Sequence, residues 1–137
     1  MGLCLPVAGG ERDNDLAQWR RMVAMRAVDI VQPDVCYVGG LTRALRVAAL
    51  AAEAHLPVMP HSANLSLVAV FTLHPLAAIP NAGPYVEFSI EPNDWARELY
   101  APFPEVHDGM VAVPAGPGWG VQVNPDWLEA AECRLSA

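Results

Sequence analysis

A chain of 137 residues that is 53% hydrophobic is long enough for one globular domain with a sizeable core, which excludes disorder and the peptide-hormone class. A net charge of −7 with only 8 Lys and Arg residues leaves no basic stripe for a phosphate backbone, so nucleic acid is not expected as a partner. Cys4, Cys36 and Cys133 are odd in number, widely spaced and lack a CxxC arrangement, so neither a disulfide framework nor a structural zinc site is signalled and a reducing cytoplasm is the expected location. Met1 to Ala8 has no positive region and no long apolar core, and the most apolar later segment, Leu65 to Ile79, carries His74 and Pro75; neither a secretion signal nor a membrane span is expected.

In chain order, Leu3-Cys4-Leu5-Pro6-Val7-Ala8 reads as a short strand closed by Gly9-Gly10-Glu11, after which Asp13 or Asn14 caps a helix running to about Ala27. Leu16, Trp19, Met22, Val23 and Arg26 recur at three-to-four spacing on that helix, a stripe suited to packing on a sheet. The pattern restarts at Ile30-Val31-Gln32-Pro33-Asp34, passes Gly39-Gly40 and enters an Ala- and Leu-rich helix from about Leu41 to Ala54. Leu56-Pro57-Val58-Met59-Pro60-His61 opens a third unit, its Leu-Pro-Val repeating Leu5-Pro6-Val7, with a helix from about Asn64 to His74. Tyr85-Val86-Glu87-Phe88 reads as a fourth strand. Strands alternating with helices imply a parallel α/β sheet. After Glu91 the prolines Pro92, Pro102, Pro104, Pro114, Pro117 and Pro125 break the chain into short runs such as Met110-Val111-Ala112-Val113, a loop-and-hairpin tail in which Trp95, Trp119 and Trp127 cover apolar surface.

Glu11, Asp34, His61 and Glu87 fall 23 to 27 residues apart, each where a strand ends. That is the repeat length of a β/α barrel, in which residues at the C-terminal strand ends converge on one site. Asp29 and His55 precede their strands and belong to the opposite, stability-bearing face. Taken singly, a strand-end carboxylate is often a cap and a lone His is often packing; four at successive strand ends are hard to explain that way. A carboxylate at Glu11 is a hard oxygen ligand suited to magnesium. Asp34 and His61 could form an oriented acid/base pair, the Asp fixing the imidazole tautomer, and Glu87 could hold a substrate oxygen by a short hydrogen bond. A thiol enzyme using Cys36 with His61 is a weaker reading, since burial is the ordinary explanation for a Cys inside Val35-Cys36-Tyr37-Val38.

These residues carry a family resemblance. Ala8-Gly9-Gly10-Glu11, Gln32-Pro33-Asp34-Val35 followed by Gly39-Gly40-Leu41-Thr42, Pro60-His61-Ser62, and Val86-Glu87-Phe88 resemble the fifth to eighth strand ends of the mandelate racemase subgroup of the enolase superfamily, the mandelate racemase/muconate lactonizing enzyme barrel domain. The resemblance implies an α/β chain forming the C-terminal part of a TIM-like (β/α)7β barrel, with about four parallel strands, intervening helices and a Pro-rich loop/hairpin tail. Residues 1–91 would be the barrel part, and residues 92–137, with Asp108-Gly109 and Pro117-Gly118-Trp119-Gly120, the tail that returns toward the capping domain.

By the same resemblance, Glu11 is the metal ligand for Mg2+, Asp34 and His61 are the base dyad, and Glu87 hydrogen-bonds the substrate or enolate oxygen, with Glu91 as the other occupant of that role and Ser62 beside it in substrate binding. The implied reaction is abstraction of the α-proton of a carboxylate, then loss of a β-hydroxyl as in acid-sugar dehydratases, or proton return as in racemases and epimerases. The second-strand Lys base, two further acidic metal ligands and the capping domain of the family have no counterpart here, and a complete barrel needs about 250 residues. The chain is therefore expected to be a fragment, inactive alone. The expected partners are a small sugar-acid substrate and a second copy or complementary barrel half; the alternative is a non-catalytic partial barrel that needs a complementary chain.

Overall fold

The computed structural model describes residues 5–62, 64–91 and 94–133; Leu3, Cys4 and Pro92 lie outside these. β1 (Ala8–Gly9) runs parallel to β2 (Ile30–Val31), with Ala8 opposite Ile30 and Gly9 opposite Val31. Parallel bridges from Val31 to Val58, Asp34 to His61 and Val58 to Ala82 continue the layer. Four chain segments thus lie side by side in sequence order, as strand-helix alternation requires. Their slanted hydrogen bonds include Gln32 N–H to Gly9 O at 3.0 Å, Met59 N–H to Val31 O at 3.0 Å and Gly83 N–H to Val58 O at 2.8 Å.

The helices cover this layer. α1 (Leu16–Ala24) is capped by Asp15, whose carboxylate accepts the Ala17 N–H, rather than by the expected Asp13 or Asn14. Asp13 instead offers its carbonyl to Trp19 Nε1 at 3.0 Å, an earlier turn that holds the indole in place. α2 (Leu41–Glu53) starts at Gly40, whose φ of 102° suits glycine. α3 (Leu67–Ala78) begins at the Ser66 cap, later than expected, because Asn64 first makes a turn by accepting the Ser66 N–H. It then runs through Pro75 past His74; it is apolar around most of its circumference and largely buried, the pattern of an interior helix.

The core lies between the layer and the first two helices. Trp19, Val31, Val47 and Ala51 are fully buried, and Val58 nearly so. A Cβ on Gly10 would sit 2.3 Å from the Trp19 ring, so only glycine lets the turn beneath Glu11 close over this core. Burying such side chains supplies roughly 1.5–3 kcal/mol each.

The fourth segment differs from the expectation. Its pairing is at Ala82, and residues 85–90 carry no ladder. It ends the layer, with Val58 as partner on one side, and Pro84 has no N–H to donate. The tail is short elements: α4 (Asp94–Leu99), β3 (Tyr100–Ala101) antiparallel to β6 (Gln122–Val123), the hairpin β4 (Val106–His107) with β5 (Met110–Val111), and α5 (Pro125–Ala130). Asp108 and Gly109 have φ of 51° and 76°, the left-handed pair that an Asp-Gly hairpin turn uses. Tyr100 ties the tail to the turn before α3 by donating to Leu65 O at 2.9 Å, and Trp119 packs on Phe71 and His74 of α3. Burial pushes the Tyr100 phenol up to about 12, keeping it a donor. Among the described residues no helix is long and apolar enough to cross a membrane.

Candidate active site

The turn after β2 builds the first half of the site. Asp34 is 2% exposed, and its Oδ1 accepts the N–H groups of Cys36 at 2.7 Å and Tyr37 at 2.9 Å. Its Oδ2 faces His61 Nδ1 at 2.8 Å. A carboxylate whose other oxygen already accepts two backbone donors is an acceptor here too, so Nδ1 is the donor of this pair, and in the neutral imidazole Nε2 is then the nitrogen that bears the lone pair. The parallel bridge between Asp34 and His61 sets this meeting by backbone register, with His61 N–H donating to Pro33 O at 3.2 Å.

His61 Nε2 points between two carboxylates, Glu11 Oε2 at 3.4 Å and Glu87 Oε2 at 3.7 Å. Both glutamate side chains are about half exposed, whereas the His61 side chain is 14% exposed. Glu87 is steadied by the Ser62 N–H, which donates to its Oε2 at 3.1 Å. Ser62 itself is buried, and its hydroxyl has no partner among the described residues. The five residues singled out by strand-end spacing and neighbourhood, Glu11, Asp34, His61, Ser62 and Glu87, are thus brought to one place. An apolar cavity of about 410 Å³ between α3, the segment at 82–88 and the hairpin is lined by none of them.

Asp29 and His55 lie at the other end of the layer. Asp29 Oδ2 accepts the Val7 N–H at 2.8 Å, and His55 ends α2 in a left-handed conformation with φ of 57°. Cys36 departs from expectation: it is exposed, because residues 34–38 form a turn that buries Val35 and Val38 and turns Cys36 and Tyr37 outward. Partial desolvation, and then the Asp34 carboxylate, push its thiol above the usual range, the reverse of what a thiolate nucleophile needs. Tyr37 is a residue that strand-end spacing passes over. Its ring lies 6.4 Å from the His61 ring at 17°, and the available signal was an aromatic three residues after Asp34 in a Gly-Gly-terminated turn.

For a metal, the donor chemistry at hand is limited. Glu11 offers hard oxygens, but no cluster of three or more His, Cys, Asp or Glu able to hold an ion occurs among the described residues, and the neighbours of Glu11 are His61 and Arg12. These residues alone do not make a magnesium site.

The chain is similar to known proteins along most of its length. A Roseobacter denitrificans protein proposed to be a racemase superposes with TM-score 0.89 at 54% identity, covering 95% of this chain and 37% of that one. D-galactarolactone cycloisomerase of Agrobacterium fabrum is 33% identical over 136 residues, 93% of this chain and 35% of its own length. L-talarate dehydratase of Polaromonas sp. JS666, in complex with Mg and L-glucarate, matches with TM-score 0.76 at 31% identity, over 92% of this chain and 32% of that one. The chain spans about a third of the length of these relatives. The profile of the family described as enolase C-terminal domain-like matches residues 2–127. The solved neighbours include an Agrobacterium tumefaciens enolase of the mandelate racemase subgroup, at 30% identity and TM-score 0.79 over 91% of this chain and 34% of that one, and the chain itself belongs to the enolase C-terminal domain-like family.

Proposed function

We propose that the protein bearing this chain abstracts the α-proton of a small carboxylate, a sugar acid, and eliminates water from the resulting enolate. The observation that carries this reading is the His61 Nδ1 contact with buried Asp34 at 2.8 Å, which leaves Nε2 directed between Glu11 and Glu87. Nε2 accepts the α-proton, and the C–H electron pair moves into the substrate carboxyl group as an enolate. The imidazolium then gives its proton to the β-hydroxyl as the C–O bond breaks, and water leaves. Asp34 holds the imidazole and stabilises its cation. Glu87 takes a hydrogen bond with a substrate oxygen, and the unpartnered Ser62 hydroxyl is a further donor beside it.

Magnesium belongs to this reading through the metal-bound talarate dehydratase and through Glu11, which we assign as its ligand from this chain. Residues 1–91 supply the proton-transfer part and residues 92–137 the returning tail. A racemase or epimerase is the second reading, favoured by the Roseobacter denitrificans relative at 54% identity. In it the enolate regains a proton on the opposite face. Incubating the full-length protein with a panel of aldonates and aldarates in deuterated water separates the two: a dehydratase yields a 2-keto-3-deoxy acid, a racemase an α-deuterated epimer. Absence of both products and of α-deuteration across the panel would count against the proposal.

A further inference from the structure

We propose that Tyr37 is a positioning residue for His61, restraining the imidazole plane so that Nε2 stays aimed into the gap between Glu11 and Glu87. The inference rests on the proton-transfer reading above and adds to it a residue outside the strand-end set. Asp34 fixes one atom of the imidazole, Nδ1, and a single hydrogen bond leaves the ring able to swing about that contact. The Tyr37 ring lies nearly parallel to the imidazole, 17° apart with centroids at 6.4 Å, an offset stack along that swing. Both restraints issue from one turn: the Tyr37 N–H donates to Asp34 Oδ1 at 2.9 Å, while Asp34 Oδ2 meets the ring. Tyr37 is 55% exposed, so it contributes little to the core, and a large aromatic is left at the surface beside an imidazole that is itself mostly covered.

The test uses the full-length protein with Tyr37→Ala and Tyr37→Phe. Two quantities are read: the His61 ring-proton resonance, assigned by its loss in His61→Asn, and kcat and KM for α-proton exchange. In Tyr37→Ala the resonance should move, kcat should fall roughly three- to tenfold, the size of one aromatic pair contact, KM should change less, and the unfolding midpoint should hold. Tyr37→Phe, which keeps the ring, should restore resonance and kcat together. An unmoved resonance in Tyr37→Ala overturns the proposal, as does a moved resonance with unchanged kcat, or a Tyr37→Phe variant as impaired as Tyr37→Ala. If the unmodified protein exchanges no α-proton, the proton-transfer reading fails by itself, and the resonance alone then decides whether Tyr37 restrains the imidazole.

Discussion

Asp and His occur as a pair at both ends of the parallel layer, and the two ends use them differently. At the N-terminal ends Asp29 spends its carboxylate on the Val7 backbone N–H, and His55 closes a helix in a left-handed conformation. The two serve the backbone separately. At the C-terminal ends Asp34 and His61 are brought into register by a parallel bridge and bond to each other, with the second imidazole nitrogen turned to two further carboxylates. Residue type is the same in both places; position along the strand decides whether it supports the fold or presents a reactive nitrogen.

The largest expected effect at the C-terminal end, after loss of His61 itself, is in Asp34→Asn. The amide can still accept from the turn, but it need not hold Nδ1 as donor, and proton exchange should fall about 100- to 10,000-fold, the range for a mispositioned general base. Exchange kinetics in deuterated water read this directly; a variant within a factor of a few of the parent would show that Asp34 belongs with Asp29 as a backbone support. Next, Glu11→Gln should raise the magnesium concentration needed for half-maximal activity of the full-length enzyme, whereas Glu53→Gln, on α2, should leave it unchanged. Equal responses of the two would remove Glu11 from the metal.

At the opposite end, Asp29→Ala should cost about 1 kcal/mol of stability, the net value of one hydrogen bond, with proton exchange unaltered. Denaturant unfolding and the exchange assay together check it. The smallest effect is at Cys36. Asp34→Asn removes the second of the two influences that raise the thiol, so its ionisation moves to lower pH and alkylation by iodoacetamide at neutral pH should quicken. An unchanged alkylation rate would mean that desolvation alone acts on Cys36.

Much of this contrast was legible in the sequence because it rides on spacing. Runs of alternating strand and helix signals placed Glu11, Asp34, His61 and Glu87 where strands end and Asp29 and His55 before theirs, and the parallel layer keeps the same segment order. What spacing misses is the local turn chemistry. Val35-Cys36-Tyr37-Val38 has the composition of a buried strand, yet the Asp34 carboxylate bends it into a turn that leaves Cys36 and Tyr37 outside. Asp15 rather than Asp13 caps α1: the Asp13 carboxylate accepts from the Gln18 amide and its carbonyl from the Trp19 indole, side-chain contacts that residue type at a helix start does not reveal. Tyr85-Val86-Glu87-Phe88 has strand composition but ends the layer after Pro84, so propensity finds no ladder to complete.

The most direct measurement of the central claim is α-proton exchange by the full-length protein in deuterated water, with a sugar acid that it turns over, comparing the parent with His61→Asn and His55→Asn. Deuterium should enter the α-carbon with the parent and with His55→Asn, and His61→Asn should abolish its entry. Undiminished exchange in His61→Asn, or equal loss in both variants, would contradict it.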